Sequence, residues 1–382
     1  MDYLEQLALS HPTWMDAISS ISQFYEKKLW HQLTMELTSF LSANIGDFHN
    51  DEERKDFYTK FISSFQHRLN PVKFVLLVSK IGHSFTESSG TLDLFESILT
   101  SSKEKLGLAA SVCLEMDIVI VNIILGQLEK AKASLENTKD SINGKISSSE
   151  TAPFSKYYKA YAEYYKKVGP ATEFYKKALL FLAYTPVDDL TSSEKYAIAT
   201  DIALSSICGE DIYNFGEVLA TPVLESLKET DNAFLYDLIV ALNRGIIDEF
   251  NVLVDSNNAK IATFPALQSN LEDIKKKLVL LALMNIAFER SSHDRQIGFD
   301  AIASRIQIDI SQVEDIIMRA MSLGLIKGYM DQVDQYVNIT WVQPRVLETV
   351  SLQIVSEQLG EWTERVKTTL VTVEEQTSEL FC

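Results

Sequence analysis

Along the first two-thirds of the chain, apolar side chains recur every three or four positions with polar ones between them. Ile21, Phe24, Tyr25, Leu29, Leu33, Leu37, Phe40 and Leu41 share one face of a helix that the spacing predicts over 21–41. Phe57, Phe61, Phe65 and Leu69 follow at four-residue steps and predict a helix from Asp56 to Leu69. Asn70-Pro71 ends it, because proline biases its predecessor away from the helical region and suits the first turn of a new helix. The new helix carries Phe74, Leu77, Val78 and Ile81.

Two later stretches read as helical hairpins. In one, Ala109 to Leu125 is apolar at helical period, Gly126 turns, and Leu128, Ala131 and Leu135 face back. In the other, Tyr157, Tyr158, Tyr161, Tyr164 and Tyr165 lead into Val168-Gly169-Pro170, and Phe174, Ala178, Leu179 and Leu182 return. Helix, glycine turn and helix, with alanine at the closest approach, is the unit of a tetratricopeptide-like solenoid. The tyrosines read as amphipathic aromatics packing between helices with their hydroxyls at the rim; a peptide-binding surface is the alternative. Asn137 to Pro153, with Ser147-Ser148-Ser149, reads as a mobile loop between repeats. Ser192 or Ser193 is placed to cap a helix through Ile207. Further helices are predicted over Phe234–Leu242, ended by Gly245, from Ile246 through Leu253, and over Ile274–Phe288.

Near residue 290 the period changes. Ile302, Ala303 and Ile306 mark a short helix beginning near Phe299, and Ser311-x-x-Glu314 has the form of a capping box. The helix it would start buries Val313, Ile316, Ile317, Ala320 and Met321 and stops at Gly324. Two strands follow, Leu325–Met330 and Gln335–Trp341, joined by Asp331-Gln332-Val333-Asp334; in the second, Val337, Ile339 and Trp341 alternate with polar positions. Helix, helix and hairpin make a winged helix. Beyond Pro344, Val355, Leu359, Trp362, Val366, Leu370 and Val373 step by three or four along a helix of about 28 residues, ~40 Å long. Nothing after it in the sequence covers this stripe.

Composition narrows the class. Of 382 residues, 46% are apolar and 23% charged, enough for a full core, and the length suggests two or three domains. Only 14 glycines and 8 prolines argue against a hairpin-rich all-β protein. The net charge of −18 runs against nucleic-acid binding, which relies on a basic surface. The winged helix would be the exception, yet its would-be recognition helix carries Glu314 and Asp315 against Arg319, and Ile274 to Trp341 holds eight acidic and eight basic residues. Pairing of the hairpin's outer strand with another chain is the better physical use of the wing.

The six histidines never form HxH or HExxH, and the sequence has no GxGxxG, P-loop or GxSxG motif. Cys113, Cys208 and Cys382 are widely spaced and odd in number, which suits a reducing compartment, with the first two as small core residues. Lys275-Lys276-Lys277 reads as the solvated face of a helix. The acidic start, Met1-Asp2-Tyr3-Leu4-Glu5, lacks the basic region of a signal peptide. The longest strongly apolar stretch, Leu278 to Phe288, is short of the ~18–20 residues that span a bilayer. These features lead us to expect a soluble intracellular protein without catalytic residues, cofactor or metal. The sequon Asn338-Ile339-Thr340 falls in a predicted strand and is expected to stay unglycosylated.

Helical repeats ending in a winged helix and a further helix resemble the PCI domain shared by the proteasome lid, the signalosome and a translation-initiation scaffold. The residues that carry the resemblance are Ile302-Ala303-x-x-Ile306, Val313-Glu314-x-x-Ile317 and Gly324-Leu325-Ile326-Lys327-Gly328-x-Met330-Asp331. Met321 and Met330 stand where Ile or Leu is commoner. Lys28-Leu29-Trp30-His31-Gln32-Leu33-Thr34, His67-Arg68-x-Asn70-Pro71, Asn214-Phe215-Gly216-Glu217, Pro222-Val223-Leu224-Glu225-Ser226-Leu227 and Thr340-Trp341-Val342-Gln343-Pro344-Arg345-Val346-Leu347 are similar to one family of non-ATPase PCI subunits of that lid.

The resemblance implies an all-α architecture: N-terminal helical repeats over 1–170, a PCI domain over 171–345 with its winged helix at 290–345, and a C-terminal assembly helix over 346–382. It implies a non-catalytic scaffold of the 19S regulatory particle, in the cytoplasm and nucleus, in a hetero-oligomer with other lid subunits and without nucleic acid or membrane. A scaffold of a related PCI complex and a winged-helix nucleic-acid binder are the alternatives. The expected contact residues are Val337 and Ile339 on the second wing strand and Val355, Leu359, Trp362, Val366 and Leu370 on the last helix.

Overall fold

The computed structural model describes Leu7 and residues 11–48, 50–147, 150–290, 295–346 and 349–376. It forms two compact units, 1–190 and 191–382. A cut at residue 170 would separate α6 (Thr151–Val168) from α7 (Ala171–Tyr184), which pack along each other as one hairpin of the first unit.

The helix predicted over 21–41 is two, α1 (Met15–Glu26) and α2 (Trp30–Asn44). Between them Lys28 takes φ +56°, its N–H donating to the Tyr25 carbonyl (3.1 Å) while the Leu29 N–H reaches Phe24 (2.9 Å). This is the helix-ending turn usually built on glycine, and a lysine there hides the break from periodicity. The Phe57-Phe61-Phe65 stripe is buried as predicted, on a helical segment that starts earlier, at Asp51, and widens into a π turn over Phe57–Ile62. Asn70 caps α3 (Pro71–His83), its Oδ1 accepting from the Val72 N–H at 3.0 Å.

The two predicted hairpins form. The first joins α4 (Ser88–Ile124), broken at Gly107, to α5 (Leu128–Lys145), and the second is α6 with α7. The expected loop over 137–153 is mostly helix, because Thr138 and Ile142 continue the buried face of α5. The longest apolar helical stretch is also not 278–288 but Leu106–Ile124, long and apolar enough to cross a membrane; two-thirds of it is buried among neighbouring helices. Its Val112, Met116, Val119 and Ile123 meet Ala131, Leu135, Tyr157 and Ala160 in one core cluster.

Among the described residues of this unit, one carboxylate is buried. Asp117 of α4 is 2% exposed and accepts from Lys156 of α6 and from the Ser79 hydroxyl of α3, with His83 Nε2 at 3.4 Å. Burial alone would raise its carboxyl, but Lys156 and His83 overcome that and hold it below the ordinary carboxylate value. Nearby Cys113 is fully buried, and its thiol is pushed up to about 12, so it stays a neutral core residue.

In the second unit, α8 (Ser192–Cys208) is capped one residue earlier than expected, by Thr191, in a capping box with Glu194. The helix ended by Gly245 is α9 (Ala233–Arg244), and the long apolar helix is α10 (Leu271–Glu289). The winged helix then comprises β1 (Gln296–Gly298), α11 (Phe299–Ile306), α12 (Ile310–Ser322), β2 (Ile326–Asp331) and β3 (Tyr336–Val342). Ser311-x-x-Glu314 makes no capping box: α12 starts behind Asp309, and Glu314 instead accepts from Gln332 Nε2 at 2.8 Å. Gly324, at φ +70°, ends the α12 segment as predicted. The strand β1 was not predicted, since three residues show no alternation; it makes the antiparallel sheet β1-β3-β2. The last helix, α13, spans Thr349–Gln376.

The buried ion pair generates a prediction. Lys156→Met strands the Asp117 charge inside the protein and is expected to cost about 3–5 kcal/mol in urea unfolding. The double variant Asp117→Leu with Lys156→Met should recover most of that loss.

Candidate assembly surfaces

In the second unit, α10 is the spine on which other helix ends are fastened. Lys277 is buried, and its ammonium donates to the carbonyls of Ser206 (3.1 Å) and Ile207 (3.0 Å) at the C-terminus of α8. Helix C-termini leave carbonyls without partners and carry partial negative charge, so a cation there serves both needs. Its position 5.4 Å above the Phe215 ring adds a cation–π contact. The three lysines therefore divide: Lys276 is exposed beside Asp273, while Lys277 is a buried cap and not part of a solvated face.

Two turns on, Asn285 repeats the device. Its amide donates to the carbonyls of Arg244 (2.7 Å) and Asn243 (3.3 Å) at the end of α9, and Arg345 donates to its Oδ1. The next residue, Val346, donates its N–H to Asn214 Oδ1 at 3.0 Å, and its carbonyl lies where a side chain on residue 216 would sit. The segment leaving the sheet is thus held to the helical part of the unit at three points, and Gly216 is required there by close approach. Asn214 and Gly216 thus meet Val346, from a segment far away in sequence. The sequence alone carried no sign of this latch beyond a polar Asn inside an apolar run, which ordinarily marks a satisfied buried partner.

On the sheet, Val337 and Ile339 are 0% and 3% exposed. They are core residues of the central strand, so their side chains do not form an exposed contact surface; the edge strands are β1 and β2, and the exposed aromatics are Tyr329 and Trp341. Lys327 lies 4.7 Å above the Trp341 ring. On α12, Gln312, Asp315 and Arg319 are exposed and Glu314 is partly so, a face with little to offer a base edge or a phosphate.

The stripe on α13 behaves differently. Leu359, Trp362, Val366 and Leu370 are 58%, 64%, 48% and 52% exposed, and Val355 is partly covered. Among the described residues no element packs along the helix. Between it and the sheet lies a groove of roughly 440 Å³ lined by Phe288, Arg295, Trp341, Glu361, Trp362 and Arg365. No group of three or more metal-ligating side chains occurs among the described residues. The Cys208 thiol is raised, mainly by burial, away from the thiolate that nucleophilic chemistry needs.

Comparison with known proteins agrees with this architecture. The chain matches the family PSD13 N-terminal repeats over residues 17–239 and the PCI domain over 254–341. These matches, with the helical repeats and winged helix, define a PCI-domain protein. It is 33% identical to the 26S proteasome non-ATPase regulatory subunit 13 homolog A of Arabidopsis thaliana, covering all of this chain and 98% of that one. It is 31% identical to the subunit 13 of Dictyostelium discoideum over the same shares, and 30% identical to the regulatory subunit RPN9 of Saccharomyces cerevisiae, over 93% of this chain and 91% of that one. The chain belongs to the family of 26S proteasome non-ATPase regulatory subunit 13.

Two predictions follow from the spine and the latch. Burial lowers Lys277 to about 8 from an unfolded value near 10.5. Between those values the unfolded chain holds a proton that the folded chain has released, so this group's contribution makes stability rise with pH from about 8 to 10.5. Subtracting the unfolding free energy of Lys277→Met at each pH should isolate a rise on the order of 1–3 kcal/mol. Gly216→Val should push Val346 off its seat and lower stability by about 1–3 kcal/mol, read by thermal melting.

Proposed function

We propose that this chain is a non-catalytic scaffold subunit in the lid of the 19S regulatory particle, supporting lid assembly and ubiquitin-dependent protein degradation. The observation that carries the reading is the bare stripe of α13. Its large apolar side chains are about half exposed, so of the ~1.5–3 kcal/mol that each gains on full burial about half is left in water, on the order of 5 kcal/mol for the stripe. A helix ~40 Å long with one apolar face gains that energy by joining a bundle of partner helices. Leu359, Trp362, Val366 and Leu370 are the contact residues, with Val355 at the near end. The groove between α13 and the sheet gives Trp362 and Trp341 as anchors for a partner's side chains, and aromatic anchors of this kind dominate interface energies.

The second contact is the β2 edge of the winged helix with Tyr329, in place of Val337 and Ile339. The partners are other lid subunits, and the compartments are the cytoplasm and nucleus. The likeness over nearly the full length to regulatory subunits named non-ATPase supports a role without chemistry of its own. The acidic face of α12 weighs against nucleic acid as the occupant of the winged helix.

Truncation after Leu347 tests this reading. The truncated chain should keep its far-ultraviolet circular dichroism per residue and its melting temperature, while native mass spectrometry finds it depleted from purified lid. The pair Leu359→Glu with Trp362→Glu should do the same without shortening the chain. Full incorporation of either variant refutes the role given to α13.

A further inference from the structure

We propose that the tyrosine–lysine face of the α6–α7 hairpin docks an acidic segment of a partner protein. The hairpin is the basic exception on an acidic chain: from 151 to 184 it carries six lysines and two glutamates, against a net −18 for the whole. Its inner side is fixed, with Lys156 paired to Asp117 and Tyr157 and Ala160 buried. Residues two apart on a helix point to opposite sides, so anchoring Lys156 turns Tyr158 outward, and Tyr161 and Tyr165 follow it at helical spacing.

The outer rings form a ladder. Tyr158 stacks on Tyr184 at 5.6 Å, Tyr184 on Phe154 at 5.2 Å, and Tyr161 on Tyr165 at 5.9 Å. Lys177 Nζ lies 5.9 Å from the Tyr158 ring and 5.4 Å from that of Tyr161. All four tyrosines are half-buried, and Lys176 is exposed but paired with Glu173 at 3.0 Å, so Lys177 is the ammonium that the rings hold. The platform is thus held in place before any ligand arrives, which lowers the ordering cost of binding. Burial pushes the Tyr158 and Tyr165 hydroxyls up, so both remain protonated donors at neutral pH.

Donors and ammonium groups at the rim of an apolar ladder suit carboxylates flanking an apolar side chain. Single-stranded nucleic acid is the competing occupant, since it also takes lysines and aromatics. It needs open ring faces for its bases, however, and here Tyr184 stacks on two neighbouring rings while Lys177 lies over Tyr158 and Tyr161. Hydroxyls and ring edges are what remain. This inference involves neither the winged helix nor α13, so it stands or falls separately from the lid assignment.

The test is fluorescence anisotropy on the purified full chain, with a labelled Asp/Glu-rich peptide carrying one Phe and a labelled oligo(dT). Saturable peptide binding that weakens with added salt is expected. Lys177→Gln and Tyr161→Ala should each weaken it by about tenfold or more, while Lys130→Gln, on the exposed surface of α5, leaves it unchanged. Tyr158→Phe, which keeps the ring and removes only the hydroxyl, should weaken it by a smaller factor. Thermal melts of each variant separate lost binding from lost fold, with Lys177→Gln as the substitution that removes no buried volume. Absence of saturable peptide binding, equal binding by folded Lys177→Gln, or tighter binding of oligo(dT) overturns the proposal.

Discussion

A helix in a stacked solenoid is stable only when its apolar face is covered by a neighbouring helix, and among the described residues the apolar face of α13 is left about half exposed. Isolated helices of ordinary sequence are marginal in water, and most helical stability in proteins comes from packing an amphipathic face. In each compact unit the helices before α13 follow that rule, from the Phe57-Phe61-Phe65 stripe to the Met116–Tyr157 cluster. The same physics that builds the solenoid makes its last element incomplete in the isolated chain. Assembly is the same burial continued across a chain boundary.

For such a helix to be useful, its point of departure has to be held. In the second unit that task falls to polar atoms, in a region otherwise packed by Leu and Ile. Lys277 and Asn285, on one helix, satisfy the terminal carbonyls of two others, and Arg345 locks onto Asn285 as the chain leaves the sheet. Each of these groups would be costly if buried without a partner, so each tolerates only one arrangement of the elements it joins. Asp117 does the equivalent work in the first unit, tying α3, α4 and α6 together.

The distribution of charge follows from the same separation. The winged helix is near neutral, and its α12 surface is slightly acidic, which removes the nucleic-acid use that the fold would otherwise suggest. The α6–α7 hairpin is basic and aromatic, with its lysines lying over rings. A net charge of −18 is therefore unevenly spread over the chain.

Helical periodicity, the Asn70-Pro71 break, the glycine turns and the alternation of β3 were legible because each is a local property of neighbouring residues. The stripe on α13 was legible for the same reason. Other features needed the third dimension. Lys28 adopts a turn usually left to glycine, Val337 and Ile339 lie on the covered face of a strand that β1 makes central, and Thr138 and Ile142 continue a helix through a polar stretch. Lys277, Asn285 and Arg345 take their meaning from helix ends that lie far away in sequence. The sequence by itself determined which faces of the helices and of β3 are apolar, since those are set by side-chain pattern. Only the tertiary structure decided which polar groups are buried and which apolar face is left bare, because both depend on which elements become neighbours.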